Sequence, residues 1–215
     1  MTSRSEVWRY LGYRDREPEP EIVRLAEDCL AELDDITPHS CVRRLPFSAK
    51  GRQLMVGELP IESDSLAAHL AGCREVFLFA ATLGAQADRL LQRFEKLSMS
   101  RAVVMQACAA ARIEAYCDEQ QTELERAVAA EGLYLRARFS PGYGDCPLSC
   151  QRALLDILEA DKRIGLTTTD SSMLVPTKSV TAFIGLTTDA GSCHIHRCET
   201  CSKTNCPFRK EGETG

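Results

Sequence analysis

From Arg101 to Ala130 the chain runs without a proline or a glycine, and no other feature narrows the possible folds so strongly. Nothing in that stretch interrupts the backbone hydrogen-bond ladder, and most of its residues are good helix formers, so it reads as one long helix. Its first half, AVVMQACAAARIEAYC, is almost wholly small or apolar. A helix with so little polar surface belongs at the centre of a fold, with other elements packed around it. Within that half Glu114 is a carboxylate beside apolar neighbours, and the plain expectation pairs it with an arginine such as Arg112 or Arg101.

The flanking segments supply the rest of a globular domain. Val7, Trp8, Tyr10 and Leu11 suit a short helix ending at Gly12, and Pro18 and Pro20 interrupt it. EIVRLAEDCLAELDDI places Ile22, Leu25, Ala26, Cys29, Leu33 and Ile36 at helical spacing before Pro38. CVRRLPF and RQLMVGEL read as short strands joined by SAKG, a hairpin at a sheet edge. REVFLFAATLG contains five consecutive apolar residues, Val76 to Ala80, and reads as a buried strand. GAQADRLLQRFEKLS is an amphipathic helix. LYLRARFS alternates, with Leu133, Leu135, Ala137 and Phe139 facing one way and Tyr134, Arg136, Arg138 and Ser140 the other. A helix follows in DCPLSCQRALLDILEADK, with Asp145 or Cys146 as its cap and Pro147 in its first turn. The last strand, KSVTAFIGLTT, puts Val180, Ala182, Ile184 and Leu186 on one face. Helices and strands do not alternate regularly, so the expected class is α+β, a twisted antiparallel or mixed sheet flanked by helices, followed by a cysteine-rich tail. The expected domains are residues 1–190 and a tail at 191–215.

The 215 residues carry a net charge of −5 with no concentrated basic stripe, which argues against a nucleic-acid partner. No apolar run is long enough to span a bilayer and the N-terminus lacks a signal-peptide core, so no membrane partner is expected and the expected location is cytoplasmic.

The segment RARFSPGYGDCPLSC concentrates chemistry. Arg138 ends a strand, and the chain then turns through Ser140, Pro141, Gly142, Tyr143 and Gly144. Glycines let a backbone approach a ligand closely, and Tyr143 offers a ring face. A helix start after the turn would favour an anionic group. The same pattern is also that of an ordinary strand-to-helix turn, and residue chemistry alone leaves both readings open.

RFSPGYGDCP resembles the Arg-x-x-x-Gly-Tyr motif of the activation domain of vitamin B12-dependent methionine synthase. IEAYCDE is similar to that family's helix carrying Glu-Ala-x-x-x-Glu. IGLTTTDSSMLVPTKSVTAFIGL resembles its following segment, in which a proline precedes Ser-Val and a final strand. EVWRYLGYR and FAATLG are similar to free-standing members of the family, so the likeness spans roughly residues 5–187. It implies that Arg138, Gly142 and Tyr143 hold S-adenosylmethionine, with Phe139, Ser140 and Pro141 as the intervening backbone and Glu114 facing the sulfonium or amino group. The family's aspartate near the domain start is not matched to a residue here, and residues 188–193 contain no aromatic pair like the one after its last strand.

The resemblance also implies a function. Such a protein would support reductive methylation of cobalamin on a methionine synthase or related corrinoid protein, using an electron donor such as flavodoxin or ferredoxin. Reduction of Co(II) is uphill alone, and methyl transfer from S-adenosylmethionine traps the Co(I) product. Two other readings stay open: an iron–sulfur or zinc redox protein of corrinoid metabolism without methyl transfer, and a sensor of S-adenosylmethionine.

Four of the eleven cysteines crowd into the tail as Cys193-x4-Cys198-x2-Cys201-x4-Cys206. Four thiolates at such spacing suit tetrahedral zinc or a 4Fe-4S cluster, and the spacing does not separate the two. Cys146 and Cys150 read either as additional ligands of that set or as helix-turn thiols with lowered pKa.

Overall fold

The computed structural model describes residues 3–13 and 16–190. Its helices are α1 (Arg4–Tyr10), α2 (Pro20–Asp34), α3 (Asp64–His69), α4 (Gly84–Leu97), α5 (Met99–Ala129), α6 (Cys150–Leu158) and α7 (Ala160–Ile164). Its strands are β1 (His39–Lys50), β2 (Gln53–Val56), β3 (Leu59–Glu62), β4 (Glu75–Thr82), β5 (Tyr134–Leu135), β6 (Thr167–Thr168), β7 (Leu174–Val175) and β8 (Ser179–Thr187). Six strands form one antiparallel sheet in the order β3-β2-β1-β4-β8-β5. The expected α+β class, an antiparallel sheet with flanking helices, is what the chain adopts.

Alternation along β4 and β8 creates two cores. Phe77, Phe79 and Ala81 of β4, with Ala182, Ile184 and Leu186 of β8, join a cluster that includes buried residues of α1, α2, α4 and α5. Val76, Leu78, Ala80 and Phe183 point the other way, into a cluster shared with α3, α6 and α7. Both central strands are thus covered on both faces, which explains their continuous apolar runs.

α5 is the long helix expected from the uninterrupted run. Ser98 opens it by accepting a hydrogen bond from the Arg101 amide at 3.4 Å, an N-cap role suited to serine. Ala102, Ala107, Ala109 and Ala111 are buried, and their small side chains let neighbouring helices come close. The Cys108 thiol, for example, lies 3.8 Å from the Ala26 carbonyl of α2. Pro20 does not merely end the first helix; it starts α2 at a position where a missing N–H costs nothing.

Two expectations are corrected. β1 and β2 pair as a hairpin, but Ser48, Ala49 and Lys50 of the expected SAKG connection belong to β1 and pair with β2, RQLMVGEL is divided at Gly57, and Leu59 begins the separate edge strand β3. The alternation of LYLRARFS also breaks. Leu135 lies opposite Leu186, whereas Phe139 lies opposite Phe183. Four steps on one strand face three on the other, so one extra residue is inserted between them, as in a β-bulge. Leu135 therefore packs on the α5 side while Phe139 packs in the opposite core. Among the described residues no helix is long and apolar enough to cross a membrane.

Candidate functional site

The bulge decides where the charged side chains go. Arg136 turns toward α3, where its Nη2 donates to the Ala71 carbonyl at 2.7 Å. Arg138 turns the other way and meets α5. The sequence placed these two arginines on one face; the inserted residue separates them.

Arg138 donates through Nη2 to Asp118 at 2.6 Å and to Glu114 at 3.3 Å, and through Nη1 to Gln121 at 3.1 Å. Positions 114, 118 and 121 are spaced by four and three residues, so α5 presents them on one face. Glu114 thus pairs with Arg138, and Arg101 binds Glu32 of α2 instead. The Arg138 side chain is only 14% exposed, against 34% for Glu114 and 59% for Asp118. Burial works against the guanidinium charge, yet Cys117 and Asp118, with Glu114, leave it held more firmly protonated than usual. Burial also pushes the Cys117 thiol up to about 12. That thiol is neutral at physiological pH, so the carboxylates carry the stabilisation. Two carboxylates around one guanidinium leave the cluster with one net negative charge.

Tyr10 of α1 stands nearby: burial, then the charge of Glu114, raises its phenol pKa.

The turn after Arg138 lies against α3. Phe139 is buried, with its amide and carbonyl bonded to Phe183 at 2.9 and 2.8 Å. Ser140 accepts from the Tyr143 amide at 3.2 Å, and Pro141 is buried. Gly142 has φ +88°, a left-handed conformation that favours glycine. Tyr143 is 54% exposed, and its ring stands edge-on to Phe139 with centroids 6.2 Å apart. The fold therefore brings the expected residues together as two groups, Glu114 with Arg138 on the α5 side and Phe139 with Tyr143 toward α3, joined by Ser140–Gly142.

The expected cap is corrected. α6 begins at Cys150 with Ser149 before it, so Asp145 and Cys146 do not open it. Asp145 binds the start of α3 instead, accepting from Ser63 Oγ at 2.7 Å, Asp64 N at 2.8 Å and Ser65 N at 2.9 Å. The Ser63 hydroxyl and the two amides hold its carboxyl well below the usual carboxylate range. Nor do both turn thiols share a lowered pKa. The Cys150 thiol, hydrogen-bonded to Cys146 and more exposed at the start of α6, is pulled down to about 7, while that same contact and burial push Cys146 up.

The sequence signal for Asp118 and Gln121 as partners of Arg138 is their spacing of four and seven residues from Glu114, which puts all three on one helix face. Asp145 as a clamp for α3 had no local signal, since its partners lie about 80 residues away. The cysteines of the proposed metal set, Cys193, Cys198, Cys201 and Cys206, lie outside the described residues. Among the described residues no three histidine, cysteine, aspartate or glutamate side chains gather as a metal site. Two cavities, about 320 Å³ between α2 and α4 and about 560 Å³ along β1–β3, lie away from the Arg138 cluster.

The fold and this cluster define an α+β domain whose sheet edge carries a helix-clamped arginine followed by a glycine-rich turn. A family model described as "Vitamin B12 dependent methionine synthase, activation domain" matches residues 62–206. The chain belongs to that family. The match contains Glu114, the Arg138–Tyr143 segment and all four tail cysteines, and leaves out α1, α2 and the first two strands. Among solved structures, the crystal structure of the MetH reactivation domain bound to AdoHcy is similar, with a TM-score of 0.60 and 17% identity. The likeness covers 84% of this chain and 74% of that one, and at such identity it concerns the fold alone. Comparison with curated proteins returns no match.

Proposed function

We propose that this domain binds S-adenosylmethionine at the Arg138–Tyr143 edge and supports reductive methylation of cobalamin on a methionine synthase or related corrinoid protein, as part of methionine biosynthesis. The observation that carries this reading is the Glu114–Arg138 pair with Asp118, set beside the Gly142–Tyr143 turn in a chain of this family.

The residues suit the ligand's chemistry. S-adenosylmethionine has a sulfonium, an ammonium, a carboxylate and a flat purine. The partly exposed side chains of Glu114 and Asp118 leave one net negative charge for a cationic group to approach. A guanidinium has five donors, so its bonds to Glu114, Asp118 and Gln121 do not saturate Arg138 for a carboxylate. Arg138 and Glu114 would hold the polar end. The backbone of Phe139, Ser140, Pro141 and Gly142, with the Tyr143 ring, would frame the purine.

When bound, the sulfonium supplies an electrophilic methyl group to the partner's cobalt after that cobalt has gained one electron. Sulfur keeps the electron pair of the broken S–C bond, and the reduced cobalt supplies the pair for the new Co–C bond. No proton moves, so the site needs no general base. The chain's task is to bind and orient. Flavodoxin or ferredoxin is the proposed class of electron donor, and a cytoplasmic setting fits the seven free cysteines of the described residues.

Calorimetry of the full chain with S-adenosylmethionine should show saturable one-site binding. With oxidised cobalamin protein, a reductant and labelled S-adenosylmethionine, label should reach cobalt only when this chain is present. Absence of binding would sink the reading, and binding without label transfer would favour a sensor.

The tail, residues 191–215, is proposed as a separate unit in which Cys193, Cys198, Cys201 and Cys206 hold zinc or a 4Fe-4S cluster, the thiolates being the donors either would need. Anaerobically purified protein with a cluster should show visible absorption that a zinc form lacks. Metal analysis finding neither zinc nor iron would refute the tail site.

A further inference from the structure

We propose, resting on the cofactor assignment, that α3 is the template for the Ser140–Gly144 loop and that Asp145 and His69 are the positioning residues that fasten the loop to it. Residues 136–145 run along α3 in the opposite direction, anchored at successive points. Near the C-terminal end of α3, Arg136 donates to Ala71 O at 2.7 Å. Two residues back, His69 Nε2 lies 2.8 Å from Ala137 O, and its ring centroid is 5.2 Å from that of Phe139. At the N-terminal end, the Asp145 carboxylate takes three donors from Ser63, Asp64 and Ser65.

Gly144 closes the fit. It has φ +56°, and a Cβ there would lie 2.3 Å from Ser65 Oγ. Gly185 does the same under Arg136: a Cβ at that position would lie 2.6 Å from Cys73 Sγ and 3.1 Å from Arg136 Cγ. Both glycines permit approaches that any side chain would block.

A loop with left-handed glycines at 142 and 144 has many conformations open to it. Ordering it on ligand binding would weaken affinity, and α3 removes that cost beforehand. Neither Asp145 nor His69 needs to touch the ligand; both act through the backbone between Arg138 and Gly144. A residue that only capped α3 would instead affect overall stability and leave affinity alone.

The test combines calorimetry, amide hydrogen exchange and thermal unfolding on the full chain, for Asp145→Ala and Asp145→Asn. Asp145→Ala should accelerate exchange locally, over residues 140–146 and the start of α3. It should weaken S-adenosylmethionine binding roughly tenfold and lower Tm by no more than about 4 °C. Asp145→Asn should recover part of both losses, because its amide oxygen still accepts hydrogen bonds. Unchanged affinity beside a loosened loop overturns the proposal. So does faster exchange across the whole sheet with a matching fall in Tm. If the unmutated chain does not bind S-adenosylmethionine, the cofactor assignment itself fails. Exchange then judges the template alone: local acceleration in Asp145→Ala supports it and no acceleration refutes it.

Discussion

Arg138→Ala is expected to weaken S-adenosylmethionine binding by about 100-fold or more, the loss typical of an anchoring charged residue. The side chain would be lost both as a ligand contact and as the counter-charge for α5. Without it Glu114 and Asp118, four residues apart on one helix face, repel each other, and Gln121 loses its donor. The two carboxylates are partly exposed, so water would screen much of the repulsion and the stability loss should stay near 1 kcal/mol. Arg138→Lys should also bind poorly, because an ammonium cannot reproduce a planar fork reaching three acceptors. Calorimetry gives the affinity and urea unfolding gives the stability. Wild-type affinity in Arg138→Ala would place the cofactor elsewhere on the molecule.

Phe183→Ala should have the largest effect on stability. Phe183 is fully buried in β8, faces Leu78 across the sheet, and exchanges two backbone hydrogen bonds with Phe139. Truncating a buried phenylalanine costs about 3–5 kcal/mol through lost burial and the cavity left behind. A domain of this size is stable by about 5–15 kcal/mol, so the variant should unfold at a much lower urea midpoint with little change in slope. The position is also one pairing step from the bulge that aims Arg138 at α5. Cofactor affinity should therefore fall together with stability. A loss below about 1 kcal/mol would mean the core closes over the gap.

Much of the architecture is legible in the residue pattern alone. The proline- and glycine-free run is α5, the apolar runs are β4 and β8, and Val180, Ala182, Ile184 and Leu186 share a core face. These depend on periodicity and chain breakers, which are properties of neighbouring residues. The motif resemblance likewise needed only residue order, and the family match bears it out. The bulge was not legible, because LYLRARFS alternates without interruption and an inserted residue is defined only against the partner strand. Once it is present, the arginine pair separates, and Phe139 leaves the face assigned to Leu135.

The sequence by itself determined α1, α2, α4 and α5, the central strands and the family, because each is written in local spacing or in the order of a motif, whereas α3 and the division between α6 and α7 were not. Only the tertiary structure decided that Glu114 belongs to Arg138 rather than Arg112 or Arg101, and that Asp145 serves α3 rather than α6. A charged side chain chooses its partner by distance and burial, and both arise from the strand register and helix packing that bring residues 24 and 82 positions apart into contact.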